Sequence, residues 1–182
     1  MTSDPTAARK GATYVHQGAF AVSHDPDEVL TTVLGSCVAT CLYDADAGVG
    51  GMNHFLLPTG SDSEQGTRLY GVNLMELLIN NLMRKGAQRR NIRAKLFGGG
   101  QLNGSVWDIG QRNAEFALKF MEDEGIPCIG QSLGGAGGRR VRFWPTSGRA
   151  QQNMLAGYEE KAAPPPPPAA PAAPSSGEVE LF

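Results

Sequence analysis

Between Leu30 and Leu57 the chain passes through three short extended runs broken by tight turns. LTTV favours a strand because Thr and Val are β-branched. Gly35-Ser36 then bends the chain, and Val38–Tyr43 forms a second extended run that ends at DADAG. Val49–Leu57 returns as a third, stopped by Pro58-Thr59-Gly60. Such a start commits the chain to a sheet. It also delivers Cys37 at the beginning of one strand and His54, seventeen residues later, on the next.

The rest of the chain adds helices to that sheet. A further strand is expected near Tyr14–Val22, before HDPDE makes a loop. The stretch 61–67 is polar and loop-like. A helix is predicted from Tyr70 to Lys85, where Val72, Met75, Ile79 and Leu82 form an apolar stripe at helical spacing. Gly86 suits the position after its C-terminus, and Arg84 and Lys85 its last turn. Ile92–Phe97 reads as a strand entering Gly98-Gly99-Gly100. A second helix covers 111–124, with Phe116, Ala117, Phe120 and Met121 toward the core and Gly125 at its end. Strands follow at Ile126–Gln131 and, after the turn LGGAGG, at Arg140–Trp144; PTSG then turns into a last short strand. Strands, helix, strand, helix, strands is not a regular βαβ series. It indicates a mixed α/β domain with helices packed on β-sheet, not a doubly wound Rossmann fold.

Length and composition bound the rest. The 182 residues suit one domain with tails. The expected division is a disordered N-terminus over 1–12, a domain over 13–158 and a Pro/Ala-rich tail over 159–182. AAPPPPPAAPAAPSSG cannot build a core and favours an extended spacer. It ends in an acidic and apolar tip, Glu178-Val179-Glu180-Leu181-Phe182, which reads as a plain tail or as a docking peptide. A net charge of −2 with both signs interspersed argues against a nucleic-acid partner. No apolar run reaches the roughly 18 residues of a membrane span, so no direct membrane insertion is expected. Three cysteines and no signal-like N-terminus suggest a reduced, cytoplasmic protein.

A thiol and an imidazole are the minimum equipment for nucleophilic attack on an amide carbon. A free thiol has a pKa near 8.5, so a neighbouring imidazole is what would supply thiolate at neutral pH. Cys41 and Cys128 have no nearby histidine in sequence and read as core residues. His16 and His24 lie in or beside loops and read as solvated. With no CxxC pair and three histidines, no metal site is expected. The glycine runs lack both GxxxxGK[ST] and GxGxxG, so they suit tight turns or close approach of a substrate helix better than a nucleotide. Arg139 and Arg140 read as a solvated pair or as a contact for an acidic partner surface.

LGSCVATCLYD followed by GGMNHFLLP resembles the CheD family of chemoreceptor glutamine deamidases. FGGG at 97–100, WDIGQRNAEFALKFMEDEGIPCIGQSLGG and GRRVRFWPTSG extend the resemblance over roughly Tyr14 to Arg149. It implies a layered α/β fold similar to the cytotoxic necrotising toxin deamidase domains. It also implies that Cys37 attacks a glutamine carboxamide and that His54 is the base, with no cofactor and no metal. Backbone N–H groups around Gly35 and Ser36 would steady the oxyanion. The threonine six residues before the cysteine, which the resemblance assigns to orienting the histidine, is Thr31, with Thr32 beside it. Asn53 is also adjacent to His54, but neighbouring strand residues point to opposite faces. The implied partners are methyl-accepting chemotaxis receptors and a CheC-type phosphatase. Two other readings use the same residues: a regulatory binding module, and another thiol amidase, transglutaminase or thiol protease.

Overall fold

β4 (Val38–Asp44) is buried along its whole length, and the layering follows from its two faces. In this computed structural model, which describes residues 11–57, 64–101 and 109–157, alternate β4 side chains enter two separate cores. Val38 and Leu42 face Leu74, Met75, Leu78, Ile79 and Leu82 of α1 (Glu64–Arg84) and Ala117, Phe120 and Met121 of α2 (Ile109–Asp123). Ala39, Cys41 and Tyr43 face Leu30 and Leu34 of β3 (Leu30–Leu34) and Val141 and Phe143 of β8 (Gly138–Trp144). Each fully buried Leu, Ile, Val, Phe or Met stabilises the fold by about 1.5–3 kcal/mol, so both interfaces are strong.

The remaining strands are β1 (Thr13–Tyr14), β2 (Phe20–Ser23), β5 (Val49–Phe55), β6 (Arg93–Gly98), β7 (Cys128–Leu133) and β9 (Arg149–Leu155). Among the described residues they form a five-stranded sheet, β2-β5-β4-β6-β7, and a four-stranded sheet, β1-β3-β8-β9. The β1–β3 and β6–β7 pairs are parallel and the others antiparallel. Helices cover one face of the larger sheet and the smaller sheet covers the other. This is the mixed α/β arrangement with helices on sheet expected from the order of elements, layered as the family resemblance implied.

Both helices end in glycine. Gly86 and Gly125 take positive φ (105° and 64°), and each carries a Schellman pair of bonds. Ala87 N–H donates to Leu82 O and Gly86 N–H to Met83 O; Ile126 N–H donates to Met121 O and Gly125 N–H to Glu122 O. Of the predicted stripe of α1, Met75, Ile79 and Leu82 are fully enclosed and Val72 is partly buried against the same core. The helix begins at Glu64, however, ahead of the expected Tyr70.

The expected strand at Tyr14–Val22 is two strands in different sheets. Gly18, with φ 79°, closes a tight turn in which Ala19 N–H donates to His16 O, and the chain crosses from one sheet to the other there. Gly35–Cys37 makes the same crossing between β3 and β4. The registers put both crossings at one end of the sandwich. Leu34 pairs with Arg139, Val38 with both Phe55 and Gly98, and Gly98 with Leu133. The glycine runs 98–100 and 134–135 therefore meet at the turn that carries Cys37. The expected N-terminal segment up to residue 10, part of the 61–67 loop and the tail from 158 lie outside the described residues.

Candidate active site

The turn that carries Cys37 is held by its carbonyls. Gly100 N–H donates to Gly35 O and Gly99 N–H to Cys37 O, both at 2.8 Å. Asn113 Nδ2 donates to Ser36 O at 2.8 Å. Glycine is required where the two segments meet. Gly98 has φ 113°, and a Cβ there would lie 2.1 Å from Cys37 O. The FGGG run thus packs against the cysteine turn itself, where a substrate helix was one expectation. Asn113, fully buried on α2, also accepts from Leu57 N–H at 2.9 Å. One side chain therefore ties the cysteine turn to the end of the strand that carries His54.

His54 lies on the inner face of β5, opposite Ala39 of β4. Cys37 stands two residues before Ala39 on the same face. It lies in the turn just ahead of β4 and is buried in the same cluster as Ala39, on the face to which His54 belongs. Cys37 is 3% exposed and His54 5%. His54 Nδ1 is 2.9 Å from Thr32 Oγ1 and 3.2 Å from Val15 O. Thr32 Oγ1 donates to Val15 O at 2.8 Å. A carbonyl only accepts, and the threonine proton is spent on it. Nδ1 must then carry the ring's proton, which it gives to Thr32 Oγ1 and Val15 O. The assignment leaves Nε2 as the basic nitrogen.

The position expected of Thr31 is corrected here. On β3 the residues Leu30, Thr32 and Leu34 are buried, while Thr31 and Val33 are on the other side. Thr31 Oγ1 donates to Val141 O at 2.8 Å on the neighbouring strand. Thr32 is the threonine that meets the histidine, because side chains alternate across a strand. Asn53, by the same rule, turns toward α1. Its Oδ1 accepts from Thr40 N–H, and its Nδ2 approaches Met75 Sδ at 3.3 Å.

The structure adds two residues at the mouth that sequence reasoning missed. Cys37 Sγ donates to Gln17 Oε1 at 3.5 Å, and Gln17 is exposed on the crossing turn between β1 and β2. Tyr70 of α1 brings its hydroxyl to 3.1 Å from where a Cβ on Gly18 would sit. Burial pushes the Tyr70 phenol up, and the nearby charge of Cys37 adds to it. The crossing turn is bonded to the histidine strand in both directions. Gly18 N–H donates to His54 O at 2.7 Å, and His54 N–H to Ala19 O at 3.1 Å.

The other candidates lie elsewhere. Cys41 is fully buried, and desolvation pushes its thiol far up despite Lys95 nearby. Cys128 is half-buried, and burial raises its thiol too. His16 and His24 are exposed. Arg139 is 2% exposed, so neither reading of it as a surface charge holds. It donates to Ser132 O at 2.6 Å, Ser132 Oγ at 3.1 Å and Gly134 O, bracing the β7–β8 loop. Burial lowers its guanidinium below the ordinary value. Arg140 is exposed.

Chemically this is a thiol set near an imidazole of fixed tautomer, carried on a layered α/β domain, the equipment of an acyl- or amide-attacking protein. Comparison with known proteins narrows that class. Residues 56–154 match the family described as CheD chemotactic sensory transduction. A probable chemoreceptor glutamine deamidase CheD of Agrobacterium fabrum is 49% identical over 172 residues, covering 93% of this chain and 95% of that protein. A protein of the same description from Caulobacter is 50% identical over 174 residues, covering 93% and 92%. The chain belongs to the CheD family. Among solved structures, the Bacillus licheniformis hypothetical protein YfiH is similar at a TM-score of 0.40 and 15% identity, covering 65% of this chain and 49% of that one. No helix among the described residues is long and apolar enough to cross a membrane.

Proposed function

We infer that this chain is a chemoreceptor glutamine deamidase that uses Cys37 as nucleophile and His54 as base. The carrying observation is the Val15–Thr32–His54 contact set, which gives His54 one protonated nitrogen and one basic one. Nε2 takes the proton of Cys37, and the thiolate attacks the carboxamide carbon of a substrate glutamine. The C=O electrons move to oxygen, where backbone N–H groups of the Gly35–Ser36–Cys37 turn would receive the charge. The imidazolium returns its proton to nitrogen, the C–N bond breaks and ammonia leaves a thioester. Nε2 then deprotonates a water, which attacks the thioester and restores the thiol. The net reaction consumes one water and gives glutamate and ammonia. The braced turn supports this reading, because oxyanion donors act through being fixed in advance.

The substrates in this reading are glutamines on the helical, cytoplasmic part of methyl-accepting chemotaxis receptors, and a CheC-type phosphatase is the further partner. Receptor co-expressed with the wild-type chain should gain roughly one dalton per modified glutamine and release ammonia, each event placing a new negative charge on a helix. Folded Cys37→Ala protein should do neither. Receptor binding without ammonia release by the wild type would replace this reading with a binding module.

A further inference from the structure

Resting on that reading, the mouth of the site poses a problem. The reaction needs a glutamine from another protein at Cys37 Sγ, yet Cys37 is 3% exposed. Something must move before the substrate can enter. One side chain in contact with the sulfur is Gln17, which is itself exposed and sits on a turn rather than in a strand. Its functional group is a primary carboxamide, the group the enzyme consumes.

We propose that the Gln17 carboxamide occupies the substrate's carboxamide subsite in the resting protein and swings out to admit the substrate glutamine. The backbone beneath it does not have to move. Gly18 and Ala19 are bonded to His54, so the turn is anchored directly after Gln17 and the freedom required is that of an exposed side chain. Tyr70, against Gly18, bounds the same mouth from the helical layer. A flexible amide side chain held by a weak S–H donor is easily displaced. The occupant survives because it is reversed. Its oxygen, not its carbon, meets the sulfur, so the thiol donates a proton where a substrate would be attacked. The proton shared with Gln17 also has to leave Cys37 before catalysis. Displacement by substrate and ionisation of the thiol thus favour each other.

The test uses the full-length chain and needs no receptor. Cys37 is alkylated with iodoacetamide, itself a small carboxamide, and modification is followed by peptide mass spectrometry in wild type and Gln17→Ala. Gln17→Ala should label at Cys37 about five- to tenfold faster, because access to a thiol governs its reactivity along with thiolate content. Added acetamide should slow that labelling in Gln17→Ala more than in wild type, since the subsite is empty only in the variant; propionate should not. With receptor as substrate, the variant's KM should fall. Gln17→Ala that melts with wild type but labels no faster, or gains no acetamide protection, overturns the proposal. Failure of the deamidase reading would look different. Cys37 labelling would still depend on Gln17, while wild type formed no glutamate on receptors.

Discussion

Replacing Thr32 by Val removes one hydroxyl and keeps the shape of the side chain, so its effect can be worked from the contacts. Thr32 is fully buried. Its hydroxyl bonds Val15 O and His54 Nδ1. Neither partner is orphaned by the change, because Nδ1 and Val15 O remain 3.2 Å apart. The fold should therefore lose one net hydrogen bond, about 1 kcal/mol. For a domain of this size that is a fall in Tm of about 4 °C. Catalysis should suffer differently. The hydroxyl accepts from a neutral ring at rest and from an imidazolium during the reaction. A bond to a charged group is worth about 1.5–3 kcal/mol against about 0.5–1.5 for a neutral one. The difference, about 1–2 kcal/mol, corresponds to a fall in kcat of about 5- to 30-fold.

The assay is single-turnover deamidation of receptor, read by mass, with melting curves on the same samples. Thr32→Ser keeps the hydroxyl and should stay within about threefold of wild type, less than the loss of the charged bond. Thr31→Val removes only the bond to Val141 O on the far side of β3 and should change the rate by less than about twofold, as expected for a residue outside the catalytic unit. A Thr31→Val variant that is folded and as slow as Thr32→Val would refute the relay through Thr32 and restore the expectation from spacing.

Three further outcomes are expected. Cys41 should make the fold alkali-sensitive. Burial raises its thiol, so the folded state keeps a proton that the unfolded chain gives up above a pH of about 8.5. The stabilisation is whole below that pH and is lost as pH rises, so wild-type Tm should fall more steeply from pH 8.5 upward than that of Cys41→Ala, and parallel curves would refute it. Gly98→Ala should lower both Tm and rate, because its Cβ would strike Cys37 O, whereas Gly48→Ala, also at positive φ but with open space around it, should cost about 1–3 kcal/mol of strain and lower Tm alone. Asn113→Leu strands Leu57 N–H and Ser36 O, at about 1–3 kcal/mol each, and should slow deamidation without changing which residue iodoacetamide labels first.

Much of this was legible in the sequence, and the failures have physical reasons. Apolar periodicity placed α2 and the body of α1, because those stripes face a core. It could not place the start of α1, since Glu64-Gln65-Gly66-Thr67-Arg68-Leu69 carries no such stripe. A continuous strand over Tyr14–Val22 was a fair reading of the apolar residues, but Gly18 splits it, and sheet membership is a long-range property. The threonine error was avoidable. Leu30 and Leu34 share a parity with Thr32, and two leucines facing inward carry Thr32 inward with them. Asn113 also had a signal. It lies four residues before Ala117 and seven before Phe120, on the apolar stripe, and a polar residue there needs buried partners. Gln17 had none, because its position over Cys37 depends on two crossings that no local pattern encodes.

These placements divide the site into two constructions. The groups proposed to move protons, Cys37 and His54 with Val15 and Thr32 behind them, come from the first five strands and their crossings and meet inside the sandwich. The groups that fix the cysteine turn, Gly98 to Gly100 and Asn113, come from β6 onward and act through carbonyls at the sandwich end. Among the described residues the two sets meet at the turn Gly35–Cys37, and Asn113 adds a tie through Leu57. Damage to the first should change the ionisation and the rate together. Damage to the second should shift the turn and change the rate while the imidazole keeps its tautomer, since Thr32 Oγ1 and Val15 O, which meet Nδ1, lie outside the brace. The sandwich needs both, because a strand can aim a histidine through its pleat, but a turn between two sheets has no ladder of its own and must borrow donors from elsewhere to hold a nucleophile still.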